Sequence, residues 1–286
     1  MAVEGRWGSA AGEFGRTGAA DGNLALPMAV AVAGRDTLVL DQENGRVQRF
    51  AGGRLVGSFP AGKAAQDLVP LPAGGAAVLD RLGAATLTFL GDDGKTLATL
   101  PLAGGPIREG GAVTGVFADA EGVYVEREHR ELVRLADASG HADRDRPTLW
   151  GRPTRDGKQL LRAAITDRAA GTLTVSVAAR SNGAMDFAST VTLDGPILHL
   201  VLLDSDRRGR IYAAAAIGRP GPAGVTDERV AVVRLERDGR VSGRIALPAL
   251  PEADEVFRPV AVDDDGAIYE LVSSPAGLAV VRFELP

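Results

Sequence analysis

The sequence contains no cysteine, which removes disulfides, thiolate nucleophiles and Cys-ligated zinc from its chemistry in any compartment. Histidine is scarce, with three in 286 residues, and aromatic residues make up only 5%. No run approaches the roughly 18 apolar residues of a membrane-spanning helix, and the opening MAVEGRWGSA lacks the apolar middle of a secretory leader. No direct membrane insertion of this segment is expected. Because Met1 and Ala2 run straight into a strand-like segment, a leader or anchor is expected to have been removed. The formal charge of −5 comes from 37 acidic and 32 basic residues mixed along the chain. Without a basic stripe to neutralise phosphates, nucleic acid is not expected as a partner.

The chain is 45% hydrophobic, so its core must be filled by Val, Leu, Ile and Ala, residues that suit packed sheets. Its 37 Gly and 16 Pro fall at short intervals between apolar runs, the punctuation of tight turns. An apolar run, a Gly or Asp-Gly turn and a second apolar run recur in AVAVAGRDTLVLD, VPLPAGGAAVLD, GVFADAEGVYVE, RAAITDRAAGTLTVSV, LVLLDSDRRGRIYAAA and PVAVDDDGAIYELV. These begin at residues 29, 69, 115, 162, 201 and 259. A third alternating run follows most of them (GRVQRF, ATLTFL, RELVRL, VAVVRL, LAVVRF), and then a fourth short strand, as in LERDGRVSGRIAL.

Four antiparallel strands per unit, with no helix between units, describe the blade of a β-propeller. The fold class is therefore all-β: a six-bladed β-propeller of four-stranded antiparallel blades, in one domain spanning 1–286. The expected blades are 27–60, 64–102, 110–151, 156–195, 196–250 and 256–286 plus 2–8. A repeat of this kind must close, because an end sheet would leave an apolar face and an open edge. The last unit has three strands, so the N-terminal strand Val3 to Gly8 is expected to complete it. The fourth unit is the weakest, with only MDFAS and TVTLD after GTLTVSVAARS.

The stretch from Gly5 to Phe59 resembles an NHL repeat. It has a Gly-rich lead-in, Pro27 opening the inner strand, a corner of Asp41, Asn44, Arg46 and Val47, and a turn at Gly52 and Gly53. Pro259 repeats the inner-strand proline, while the other units keep the strand rhythm and lose the corner. The resemblance implies a propeller that presents a binding face, with catalysis in a minority of relatives. An Ala-, Arg- and Gly-rich composition added to that analogy points to a bacterial, periplasmic or extracellular protein. The corner has a structural reading too: Asn44 and Gly45 suit a tight turn, and Arg46 paired with Asp41 would brace it.

Related propellers that are lyases and lactonases build metal sites from His, Glu, Asp and Asn. Here His129 falls in a second-to-third strand corner, His141 in a third-to-fourth connection and His199 in an inner strand, which does not converge on a His-rich zinc site. Acidic runs at Asp92 with Asp93, Asp204 with Asp206, and Asp263 to Asp265 could offer oxygen ligands to calcium. Asp before Gly is also ordinary hairpin chemistry. No Gly-x-Ser-x-Gly elbow or phosphate-binding loop occurs. Glu126 and Glu128 lie among Arg127, His129 and Arg130, as a solvated mixed-charge loop would. Trp7 and Trp150 read as packing residues.

The default binding face is the end that gathers the second-to-third strand loops. It collects Gln42, Glu43, Arg46, Arg81, Glu126, Arg127, Glu128, His129, Arg180, Asn182, Arg219, Asp227 and Arg229. Arg pairs with carboxylates and stacks on aromatics, so the face suits a protein or peptide. A solvated rim is the alternative. GRPGPAGVTDER, from Gly218 to Arg229, reads as a long irregular insertion projecting over that end. The leading expectation is a non-catalytic binding or scaffolding module with no cofactor. The alternative is a calcium-type, metal-dependent propeller hydrolase or lyase with its site at the central channel, and a third is a structural spacer. The oligomeric state stays open.

Overall fold

Short apolar runs cut by Gly turns produce strands almost throughout the computed structural model, which describes residues 2–18, 24–221, 224–249 and 256–286. Strand β1 (Val3–Arg6) is followed by a two-residue pair, β2 (Thr17–Gly18) and β3 (Leu24–Ala25). Sheet one is β4 (Ala29–Ala33), β5 (Asp36–Asp41), β6 (Arg46–Ala51) and β7 (Arg54–Pro60). Sheet two is β8 (Asp67–Pro70), β9 (Ala76–Asp80), β10 (Thr86–Leu90) and β11 (Thr96–Pro101). Sheet three is β12 (Val113–Ala118), β13 (Val123–Arg127), β14 (Glu131–Ala136) and β15 (Thr148–Leu149).

Sheet four is β16 (Arg152–Pro153), β17 (Gln159–Asp167), β18 (Thr172–Ala179) and β19 (Met185–Thr192). Sheet five is β20 (Ile197–Ser205), β21 (Ile211–Gly221), β22 (Gly224–Leu235) and β23 (Val241–Leu247). Sheet six is β24 (Val260–Val262), β25 (Ile268–Ser274) and β26 (Gly277–Phe283), completed by β1, with Val3 opposite Val280 and Arg6 opposite Gly277. The fold is thus the expected all-β, six-bladed propeller of four-stranded antiparallel sheets, closed by the N-terminal strand. The one helical element among the described residues is a single 3-10 turn at Gly110–Ala112.

The chain forms two compact units, Met1–Trp150 with Pro251–Pro259 and Leu271–Val281, and Gly151–Leu250 with Val260–Glu270 and Arg282–Pro286. In the first, one apolar cluster joins sheets one and two through Leu40, Val47, Leu68 and Val78, and another joins sheets two and three through Leu79, Phe89, Val116 and Val125. In the second, Val175, Val177, Ala213 and Ala215 pack sheet four on sheet five, and Leu202, Tyr212, Ala214, Val260 and Ile268 pack sheet five on β24–β25.

Three of the first-to-second strand turns are built alike. Asp119 Oδ1 accepts from the backbone of Glu121 and Gly122 and from the Tyr124 hydroxyl at 3.2 Å. Asp206 accepts from the backbone of Arg208 and Arg210 and from Tyr212 at 3.0 Å. Asp263 accepts from the backbone of Asp265 and Ala267 and from Tyr269 at 3.2 Å. Burial of the ring, then the adjacent carboxylate, pushes the Tyr212 and Tyr269 hydroxyls up from their ordinary range. Gly266, at φ 91°, has no room for a side chain, since a Cβ would collide with the Tyr212 hydroxyl.

Two strand expectations need correction. RAAITDRAAGTLTVSV supplies the second and third strands of sheet four, not the first and second. The first is the two-residue β16, which pairs through Arg152 with Leu161 and through Pro153 with Leu160. A strand so short, ending in a residue with no N–H to donate, carries no alternation to read. MDFAS and TVT then form one continuous β19. The second correction concerns Gly218 to Arg229, which is mostly strand: beyond a bulge between Ile217 and Arg219, Arg219 pairs with Thr226, Pro220 with Val225 and Gly221 with Gly224, prolonging β21 and β22 as a two-stranded ribbon. Pro222 and Ala223 of that segment, like residues 19–23 of the Gly-rich lead-in, lie outside the described residues.

Candidate functional site

In the first unit the corner of sheet one is held by Asp41, which is wholly buried. Its carboxylate accepts from Gly15 N at 2.8 Å, Asn44 Nδ2 at 2.8 Å and Arg46 Nε at 2.9 Å. The rest of the Arg46 guanidinium donates to the carbonyls of Ser9, Ala10 and Glu13 at 3.0, 2.9 and 2.8 Å. Gly45, at φ 63°, makes the turn. The Asp41–Arg46 pair therefore braces the corner and pins segment 8–15 over it. Glu43 beside it accepts the Thr17 hydroxyl.

Arg81, in the corner of sheet two, donates to Gly111 O at 3.2 Å and lies over the Phe257 ring at 5.3 Å. The corner of sheet three is the most strained. Glu128 and His129 adopt φ 52° and 54°, the left-handed region that non-glycine residues avoid. Buried Glu126 accepts the Thr114 hydroxyl at 3.1 Å, and its Oε2 lies 3.4 Å from His129 Nδ1. Thr114 Oγ1 in turn accepts His129 N at 3.1 Å. The buried carboxylate thus orients an imidazole whose side chain is 75% exposed, leaving the ring able to exchange hydrogen bonds with a ligand. Arg127 donates to Pro106 O at 2.7 Å and pairs with Glu131.

In the second unit Arg229 donates to Asp194 O at 2.9 Å and Asp227 O at 3.3 Å. Arg219 and Asp227, both exposed on the ribbon, approach to 3.9 Å. Arg180 and Asn182 are not where the sequence reading put them. They lie between β18 and β19, a third-to-fourth connection, where Arg180 N donates to Lys158 O at 2.9 Å and Arg180 Nη1 to Gly157 O at 3.3 Å. In an antiparallel sheet that is the opposite end from the second-to-third corner, which in sheet four holds Arg168, donating to Ile197 O at 3.3 Å. The one-strand shift in sheet four carried both residues to the wrong end.

His141 Nδ1 lies 3.3 Å from Asp137, and burial lowers the affinity of His199 for its proton, with Glu228 opposing. Among the described residues no group of three or more His, Cys, Asp or Glu is placed to hold a metal ion. The acidic runs are turn caps and ion-pair partners: Asp92 binds Arg49 at 3.0 Å, Asp93 binds Lys95 at 2.7 Å, and Asp204 and Asp264 both receive Arg155. Trp7 is half-buried and donates to Ser274 O at 2.9 Å, whereas Trp150, expected to pack, is 57% exposed. The functional reading of the sequence missed Glu270, a carboxylate at 0% exposure on an apolar face of sheet six. Its signal was a charge inside the apolar string AIYELV.

No protein-family model matches the chain, and no curated protein matches it by sequence. Among solved structures it is similar to a hydrazine synthase from Kuenenia stuttgartiensis, at 14% identity and TM-score 0.56 over 85% of this chain and 72% of that one. It is also similar to a streptogramin B lyase, at 12% identity and TM-score 0.44 over 89% and 93% of the two chains. A third is a complex of KlAtg21 with the coiled coil of AgAtg16, at 12% identity and TM-score 0.48 over 91% and 81%. Likeness at such identity is a likeness of fold. Propellers host catalysis and binding alike, so what this chain does has to be argued from its own residues.

Proposed function

We propose that this chain is a non-catalytic recognition module that holds a protein or peptide partner through its second-to-third strand corners. The observation that carries this reading is the ribbon of sheet five. Residues 219–221 pair with 224–226, and these residues, with Asp227 and Glu228 at the adjoining bulge, are exposed. Among the described residues nothing pairs with their outer edges, because β20 begins opposite Ile217 and β23 ends opposite Val230. A two-stranded ribbon that buries no apolar face is marginal alone, and its unpaired N–H and C=O groups are a template for an incoming extended segment. Arg219 and Asp227 stand beside those edges to select it. The braced Asp41–Asn44–Arg46 corner is in keeping with membership of the NHL-repeat propellers.

The test is affinity capture from an extract of the source organism, comparing the parent with a variant in which residues 219–228 are replaced by Asn-Gly. A partner retained by the parent and lost by the variant, with melting temperatures within a few degrees of each other, supports the reading. A partner held equally by both moves the binding face elsewhere, and no partner with either removes the case for a recognition module.

A further inference from the structure

In sheets three and five the residue after the turn tyrosine is apolar and fully buried: Val125 after Tyr124, and Ala213 after Tyr212. Sheet six puts Glu270 after Tyr269 and buries it just as completely. Glu270 stands opposite Val260 in the ladder, as Ile268 stands opposite Val262. Cross-strand partners share a face, so Glu270 lies on the side of β24–β25 that packs with Leu202, Tyr212, Ala214, Val230 and Val232 of sheet five. Among the described residues neither of its carboxylate oxygens has a hydrogen-bond partner. An ionised carboxylate in such a place is far more costly than a protonated one.

The charged groups around that face are committed elsewhere. β24 presents only Val260 and Val262. On β21 the Tyr212 hydroxyl is given to Asp206, which also holds Arg210 at 2.6 Å. On β22 Arg234, opposite Tyr212, donates to Ser242 Oγ at 3.0 Å and Pro286 O at 3.0 Å. On β20 His199, opposite Ala216, has Glu228 and Arg168 as its charged neighbours. On the other face of β25 Tyr269 binds Asp263, and Arg282 of β26 binds Glu284 at 2.6 Å. None of them neutralises Glu270, and burial alone pushes its carboxyl up to about 8.

We propose that Glu270 is a proton-linked latch: its carboxyl stays protonated while β24–β25 packs on sheet five, and separating those strands releases the proton. The sign follows from linkage. An open chain ionises this group near 4.3 and the packed chain near 8. Below the lower value both states hold the proton and the packing is unimpaired. Between the two, only the packed state holds it, so stability falls as pH rises, and above the upper value the loss is complete. The junction therefore tightens on acidification.

The test follows the side-chain carboxyl carbons of uniformly Glu-labelled protein by NMR from pH 4 to 10, with the parent and Glu270→Gln compared by urea unfolding at pH 5 and 8. One carboxyl, absent from E270Q, should titrate above pH 7. The folding constant of the parent should fall about 400-fold more than that of E270Q between pH 5 and 8. If E270Q does not fold, Glu270→Val, which installs the residue of sheet three, takes its place. A Glu270 carboxyl titrating below pH 5.5, or an equal pH dependence in parent and variant, overturns the latch.

Discussion

Arg258 grips Asp67 through two parallel hydrogen bonds, Nε to Oδ1 and Nη2 to Oδ2, each 2.7 Å long, across 191 positions of sequence. Asp67 opens the first strand of sheet two and also accepts from Val116 N of sheet three at 2.9 Å. Arg258 Nη2 donates to Val116 O at 2.7 Å, and its guanidinium lies over the Phe117 ring at 5.1 Å. The backbone of Arg258 exchanges hydrogen bonds with Met28 O and Val30 N at the start of sheet one. One residue thus ties three sheets of the first unit. In the second unit Arg155, in the first turn of sheet four, reaches Ser205 O at 2.8 Å, Asp204 at 3.2 Å and Asp264 at 3.0 Å.

Removing Arg258 leaves a carboxylate that is only 1% exposed without its counter-charge. Arg258→Ala is expected to cost about 3–5 kcal/mol. Asp67→Ala combined with it should cost clearly less than the two single changes summed, because the second change removes the stranded charge. Urea unfolding of the four proteins of the cycle measures this. Additive costs would show that the contact is incidental.

The shared turn device predicts shared energetics. Tyr124→Phe, Tyr212→Phe and Tyr269→Phe each delete one hydroxyl bonded to a buried Asp that keeps its backbone donors. Each should cost about 1–2 kcal/mol. Asp206→Ala removes four acceptor contacts at once and should exceed any of the tyrosine changes. Chemical denaturation of the set checks both statements, and a Tyr→Phe change without effect would take the hydroxyl out of the device.

Closure by β1 is equally open to test. Val3 is 1% exposed and β1 forms the outer edge of sheet six. Deleting residues 1–10 exposes the edge of β26 and removes a buried side chain and a ladder, a loss of about 3–5 kcal/mol by area and hydrogen-bond arithmetic. Calorimetry should show a lowered transition and light scattering a new tendency to associate, since an open edge pairs with other chains. A truncated chain melting like the parent would contradict the closure.

Most of the propeller was legible because short apolar runs, continuous in the inner strands and alternating in the outer ones, recur between Gly turns, a pattern that survives without any partner in view. Where the strand shrinks to two residues, as in β15 and β16, there is no period to see. Sheet four was consequently read one strand out of step, and Arg180 with it. The ribbon was hidden by Pro220 and several glycines, which signal irregularity, although a proline on a free edge breaks no ladder. For most of the candidate corner residues the hydrogen-bond partners could not be read from the sequence. Arg46 was readable as a brace because Asp41 lies five residues away. Arg258 was not, because its carboxylate arrives from the far end of the chain.

Arg46 offers the most local test of a site residue. It donates to Asp41 and to three carbonyls of segment 8–15, an arrangement that needs the planar fork and several N–H groups of guanidinium. Arg46→Lys keeps the charge and can reach Asp41, but it must abandon at least some of those carbonyls. The substitution should therefore cost about 1–3 kcal/mol globally and should loosen segment 8–15 more than the sheets. Limited trypsin digestion under native conditions reads the second effect directly. Cleavage after Arg16, which now lies against Trp7 at 5.5 Å, should accelerate in the variant while cleavage within sheets two and three stays at the parental rate. Equal rates after Arg16 would mean that the segment is held by its other contacts, Gly8 to Phe14 and Gly12 to Gln48, and would leave Arg46 available to a partner.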